Sequence, residues 1–205
     1  MSAPAIILAT RSAGKLRELR ALFNGAGFPV RDLVEVGVAP RREEDDIEAG
    51  ETFEENALAK ARYFHGLTGA AVVADDSGLE VVALGGRPGV RSKRWSGRLD
   101  LTGEALDQAN NARLVAELAG EEDRRARYVC VAAYVDARGK VCRRGTTEGL
   151  ILEAPLGVNG FGYDPYFYSL ELGRTFGEAD LVVKERVSHR GRAFSALIEA
   201  LRQCR

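Results

Sequence analysis

The chain has 205 residues, 45% of them hydrophobic, which is enough for one sizeable core and predicts a single domain over 1–205, bilobed, in place of two full domains. Lys plus Arg is 29 against 30 Asp plus Glu, so the formal net charge of -1 provides no global field to hold a nucleic-acid backbone, and any phosphate site must be local. Cys130, Cys142 and Cys204 are odd in number and form no C-x-x-C pair, which argues against a disulfide framework or a structural zinc site and fits a reducing cytoplasm.

Strand and helix patterns alternate along the chain and predict an α/β fold. The apolar run beginning at Ala5 is too short for a membrane span or a signal-peptide core. It reads as a buried strand reaching Thr10, followed by Leu16, Leu19, Leu22 and Phe23 at helical spacing. Residues 31–38 read as a second strand, and R-R-E-E-D-D at 41–46 as a solvated loop. Thr52 is a predicted N-cap, with Glu55 in the capping-box position and Phe53, Ala57, Ala61 and Phe64 facing inward. A strand at 70–74 ends in Asp75 and Asp76. After a Gly-rich connection at 84–90 and the basic R-S-K-R-W, Thr102 opens a helix carrying Leu106, Ala109, Leu114, Val115 and Leu118. Residues 127–135 and 140–152 predict a hairpin around D-A-R-G. A last helix turns Ala193, Leu197, Ile198 and Leu201 inward.

Four stretches concentrate the chemistry: A-T-R-S-A-G-K at 9–15, A-D-D-S-G-L at 74–79, G-F-G-Y-D-P at 160–165 and S-H-R-G at 188–191. In the first, a strand-to-helix turn leaves backbone N–H groups pointing at an anion, and Thr10, Ser12 and Lys15 add side-chain donors. It is not a P-loop, because Ala9 and Leu16 stand where Gly and Ser or Thr are needed. The bland reading is an ordinary turn with an exposed lysine. In the second, Asp75 or Asp76 can hold Mg²⁺ through carboxylate oxygen, with Glu48 as a second hard ligand. Adjacent strand residues face opposite sides, so one of the two enters a given pocket. The bland reading is a D-D-S-G turn.

In the third stretch, Phe161 and Tyr163 offer flat faces for a base, and Asp164 can accept from a ring N–H. The competing reading puts both aromatics in the core. Arg190 can read a purine carbonyl with a fixed planar donor, against a helix cap with a surface arginine for His189 and Arg190. Cations for phosphate, carboxylates for a metal and an aromatic loop for a flat ring together point to a nucleotide.

With E-A-G-E-T-F-E-E-N-A-L-A-K-A at 48–61, G-G-R-P-G-V at 85–90 and S-H-R-G-R-A at 188–193, the chain resembles the inosine triphosphate pyrophosphatase family from about Ile6 to Leu201. The resemblance implies an elongated, two-lobed α/β fold, with a central mixed sheet flanked by helices, a nucleotide cleft between the lobes, and usually a homodimer. It implies hydrolysis of deaminated purine nucleoside triphosphates (ITP, dITP, XTP) with Mg²⁺ to the monophosphate and pyrophosphate, in the cytoplasm, with no nucleic-acid or membrane partner. By position, Thr10, Arg11, Ser12, Ala13, Gly14 and Lys15 would hold the phosphates, and Lys60 would support the charged site. Glu48 and Asp76 would hold the metal, and Asp76, with Lys15 beside it in the catalytic set, would activate water. Ser77 would contact substrate, and Phe161, Gly162, Tyr163, Asp164, Lys184, His189 and Arg190 would surround base and sugar.

Two departures stand out. Ser12 replaces the asparagine of the family's T-x-N-x-x-K, and V-V-K-E-R at 182–186 lacks the acidic residues that usually precede the lysine. The alternatives are the similarly built Maf family, which acts on other bases, and a nucleotide-binding regulator without turnover.

Overall fold

A computed structural model describes residues 5–203, so Cys204 lies outside the described residues. In chain order the elements are β1 (Ile6–Leu8), α1 (Ala13–Gly25), β2 (Val30–Asp32), a 3-10 turn at Arg42–Asp46, α2 (Phe53–Thr68) and β3 (Val72–Val81). Short 3-10 turns at Val82–Leu84 and Gly89–Arg94 lead to α3 (Gly103–Glu117). Then come β4 (Arg125–Asp136), β5 (Gly139–Ile151), β6 (Phe167–Ser169), β7 (Arg174–Thr175), α4 (Leu181–Val187) and α5 (His189–Gln203). The fold is mixed α/β, with seven strands in the order β2-β1-β3-β4-β5-β6-β7 and helices flanking them. β1 pairs in parallel with β2 and β3, whereas β6 pairs antiparallel with β5 and β7. β4 and β5 are sheet neighbours joined by two residues, a connection that only antiparallel pairing permits.

The chain divides into two compact units. The first takes the residues up to Asp76, Cys130–Gly145 and the residues from Arg190 on; the second takes Ser77–Val129 and Thr146–His189. The first unit's core is built from Ile6, Leu8, Leu19, Phe23, Val73, Cys130, Phe194, Leu197 and Leu201. Phe23 makes edge contacts with Phe28 and Phe194, with ring centroids 6.2 and 6.0 Å apart. Burying each such ring contributes roughly 1.5–3 kcal/mol. In the second unit Leu79, Leu114, Leu118, Tyr128, Ile151, Tyr163, Phe167 and Phe176 pack together.

The α2 capping box is present: Thr52 Oγ1 accepts from Glu55 N–H, and the Glu55 carboxylate accepts from Thr52 N–H. Ala193, Leu197, Ile198 and Leu201 of α5 are all buried, as their spacing predicts.

Two strand expectations need correction. The strand at 31–38 stops at Asp32, because Asp32 Oδ1 accepts from the N–H groups of Val34 and Glu35, at 2.8 and 2.9 Å, and folds the chain into a turn. Val34, read as a strand residue, is left 77% exposed. The strand at 70–74 instead continues through D-D-S-G to Val81, so neither the predicted strand end nor the turn reading of that motif holds. Both carboxylates are buried within the strand and compensated by side chains from α1, α2 and α5, which a reading based on turn propensity does not anticipate.

Candidate active site

The first unit holds the phosphate-type and carboxylate chemistry. Thr10 closes the β1–α1 connection with its Oγ1 accepting from Ser12 N–H, and Ser12 caps α1 with its Oγ accepting from Lys15 N–H at 3.4 Å. Serine and asparagine are equivalent N-caps, so the departure at Ser12 keeps the helix start that the motif requires. Ala13 and Gly14 form the first turn of α1. Arg11 does not stand open beside this turn. Its guanidinium donates to Glu44 and to the carbonyl of Val38, tying the 3-10 turn at Arg42–Asp46 to the end of β1.

Lys15 reaches inward, which removes the exposed-lysine reading: Nζ lies 2.9 Å from Asp75 Oδ2. Arg190, at the start of α5, is only 3% exposed, so the surface-arginine reading of S-H-R-G also fails. Its NH1 donates to Glu18, and its Nε lies 3.4 Å from Asp75 Oδ2. Glu18, Arg190, Asp75 and Lys15 thus form a buried string of alternating charge. Burial works against the Asp75 charge, but Lys15, Arg190 and Lys60 outweigh it and hold its pKa below the usual carboxylate range. Burial likewise opposes the Arg190 charge, and Glu18 and Asp75 raise its pKa.

Asp76 sits differently. Its Oδ2 accepts from Asn56 Nδ2 at 2.9 Å, and burial, with the Glu48 charge adding to it, raises its pKa above the ordinary value despite Lys15 and Lys60. Lys60, on α2, pairs with Glu48. Burial opposes the Lys60 charge, and Glu48, Asp75 and Asp76 together more than offset it, so its pKa is raised. Asn56 also accepts from Gly50 N–H at 2.8 Å, where a methyl group on Gly50 would fall 2.8 Å from Asn56 Oδ1. One buried amide therefore ties the loop that carries Glu48 to the strand that carries Asp76.

The second unit holds the aromatic loop. Ser77, half-buried, follows Asp76 along β3. Asp164 is buried: Oδ2 accepts from Phe161 N–H at 2.8 Å and lies 2.6 Å from Lys184 Nζ on α4. A methyl group on Gly160 would fall 2.1 Å from Asp164 Oδ2, and its φ of +79° is itself a glycine conformation. The Lys184 ammonium lies 5.0 Å from the Phe161 ring centroid.

The two aromatics part ways. Phe161 is half-buried, but Tyr163 belongs to the core, with its hydroxyl donating to the Ser92 carbonyl at 2.7 Å. Its ring packs inward and offers no open face for a base, so the stacking expectation is corrected at Tyr163. His189 is also buried, with its ring stacked on Tyr128 at 4.4 Å and 8°.

Four residues of these networks escape motif reading. Asn56 and Glu18 look like ordinary helix polars, although Asn56 lies inside the E-T-F-E-E-N-A run. Asp107 and Asn111 of α3 hydrogen-bond Gly162 of the aromatic loop. Their signal was present in the sequence, since they fall on the same helical stripe as Leu114 and Leu118, where a solvated face would not be found.

A mixed α/β sheet whose first unit pairs half-buried lysines with carboxylates, and whose second unit presents a tied aromatic loop, fits the chemistry of nucleotides. The chain belongs to the Ham1 family, whose model matches residues 6–200. A relative from Mycobacterium bovis, named dITP/XTP pyrophosphatase, is 48% identical over 200 residues, 96% of this chain and 95% of its own. One from Geobacter sulfurreducens with the same name is 45% identical, covering 96% of each chain. Among solved structures, the Ham1 protein of Staphylococcus aureus aligns with a TM-score of 0.83 at 34% identity, over 98% of this chain and 100% of its own. No helix among the described residues is long and apolar enough to cross a membrane.

Proposed function

We propose that this protein hydrolyses deaminated purine nucleoside triphosphates, dITP, XTP and ITP, to the nucleoside monophosphate and pyrophosphate. The observation that carries the reading is the buried Asp76, fixed by Asn56 and flanked by Glu48, Lys15 and Lys60, in a chain whose relatives bear the name dITP/XTP pyrophosphatase.

Membership of a triphosphate pyrophosphatase family implies a divalent metal, and Mg²⁺ is the ion we propose. Among the described residues no group of three or more His, Cys, Asp or Glu side chains could enclose an ion. A second carboxylate, Glu48, close enough to raise the Asp76 pKa nevertheless suits a hard cation that keeps water and substrate oxygens as its other ligands. Glu48 and Asp76 would hold it, with Asp75 committed to Lys15 and Arg190. Bound there, the ion would neutralise phosphate charge and polarise the phosphoryl group.

Asp76 then acts as the base. It takes a proton from the water whose oxygen bonds to the α-phosphorus as the bond to the α–β bridging oxygen breaks. A raised carboxylate pKa brings it nearer the operating pH and suits that task. Lys15 and Lys60 offset the charge that develops on the departing pyrophosphate, and the N–H groups of Ala13 and Gly14, with Thr10, Ser12 and Arg11, complete the phosphate side. No covalent intermediate is needed.

On the base side, Phe161 stacks on the purine, and Lys184 and Asp164 supply a fixed donor and acceptor. Ser77, Gly162, Tyr163 and His189 shape the surroundings, Tyr163 from the core. Arg190, held by two carboxylates, donates to the 6-oxo group that adenine lacks. A homodimer in the cytoplasm is the setting proposed with this activity, on family resemblance alone.

Pyrophosphate release from dITP, XTP, dATP, dGTP and UTP, with Mg²⁺ and with chelator, tests the reading. Metal-dependent release favouring dITP and XTP is expected. A preference for UTP would indicate Maf-like chemistry, and binding without release would indicate a regulator.

A further inference from the structure

The aromatic loop at 160–164 is fixed by a helix that no motif marks. Asp107 Oδ2 accepts from Gly162 N–H at 2.8 Å, and Asn111 Nδ2, one turn further along α3, donates to the Gly162 carbonyl at 2.9 Å. The first bond holds the peptide between Phe161 and Gly162, and the second holds the peptide between Gly162 and Tyr163. Gly162 has φ +64° and, as a glycine, would otherwise have wide conformational freedom.

With the Phe161 N–H held by Asp164, both peptides flanking Phe161 are pinned. The Tyr163 hydroxyl on Ser92 ties the far side. Burial keeps the Asp107 carboxyl above its ordinary pKa, and the nearby Asp164 charge adds to this against the Gly162 N–H. A carboxylate placed at that electrostatic cost, paired with an amide of matched polarity one turn away, is aimed at a single residue, Gly162.

We propose that Asp107 and Asn111 are positioning residues for base selectivity. They fix Gly162 and thereby the plane of the Phe161 ring and the place of the Asp164–Lys184 pair against the purine. This rests on the reading of the loop as the base site. A rigid loop discriminates because a base of the wrong hydrogen-bonding pattern cannot be accommodated by adjustment, and a misplacement of about 1 Å can cost about 100-fold.

The test is kcat/KM for dITP and for dATP in the wild type, Asn111→Asp, Asp107→Ala and Asp107→Asn, with the thermal unfolding midpoint of each. Asn111→Asp keeps the shape but sets an acceptor against the Gly162 carbonyl. It and Asp107→Ala should lower the dITP-to-dATP ratio by roughly 10-fold to 100-fold. Asp107→Asn retains an acceptor oxygen and should recover most of the ratio. A purely structural role would lower both substrates in parallel. A wild-type ratio in folded Asn111→Asp therefore overturns the proposal, including in the case that Asp107→Ala does not fold. A wild type that does not prefer dITP overturns the base-site reading itself, which separates the two failures.

Discussion

Burial raises the Asp76 pKa, whereas at its neighbour Asp75 the same burial is outweighed by Lys15 and Arg190, so two adjacent aspartates are shifted in opposite directions. Asp76→Asn keeps the shape and the bond to Asn56 but loses the base. Pyrophosphate release should fall roughly 100-fold to 10,000-fold with the unfolding midpoint little changed, and near-normal turnover would remove Asp76 from its role. Arg190→Ala should reveal two functions of one side chain. Its removal leaves Glu18 and Asp75 buried without their guanidinium, a loss of about 3–5 kcal/mol by urea unfolding. In the fraction that remains folded, the dITP-to-dATP ratio should also shrink. An unchanged ratio would leave Arg190 with the structural duty alone.

At the scale of elements, α2 brings Lys60 and Asn56 to the carboxylates, and its entry depends on one cap. Thr52→Ala should cost about 1 kcal/mol in thermal or urea unfolding, and a loss near zero would show that Glu55 closes the box unaided. That helix, α5 and the β4–β5 hairpin were legible in the sequence because local signals specify them: a capping box, an apolar stripe, and two strands around a short polar turn. β2 was not, because a pair of side-chain-to-backbone bonds from Asp32 ends it after three residues. β3 departs from expectation for another reason: D-D-S-G carries turn residues, and lysine, asparagine and arginine from three helices compensate its carboxylates within the strand. The site divides in the same way. Motifs located the carboxylates, the lysines and the aromatic loop, but the partners that orient them, Asn56, Glu18, Asp107 and Asn111, depend on tertiary contacts. For Tyr163 the sequence leaves an open ring and a packed one equally open, and only its burial and its bond to Ser92 decide for the packed one.

At the scale of the whole molecule, the Glu18–Arg190–Asp75–Lys15 string links α1, β3 and α5 inside the first unit. The Asp75 pKa is lowered on folding, so its contribution to stability is complete above the unfolded-state value of about 4 and declines as pH falls toward the folded value. Asp75→Asn should therefore lower the urea midpoint fully at neutral pH and progressively less below about pH 4, measured with chelator so that no metal contributes. A loss that grew in acid would have the wrong sign for this assignment.

That same unit draws its core from both ends of the chain, since Phe194, Leu197 and Leu201 pack with Leu8, Leu19 and Phe23. A ribosome delivers the first of these residues almost two hundred positions before the last. β1 and α1 must therefore wait with an uncovered apolar face until α5 has been made and can fold back onto them, and a chain cut short within α5 would lack the helix that completes this core.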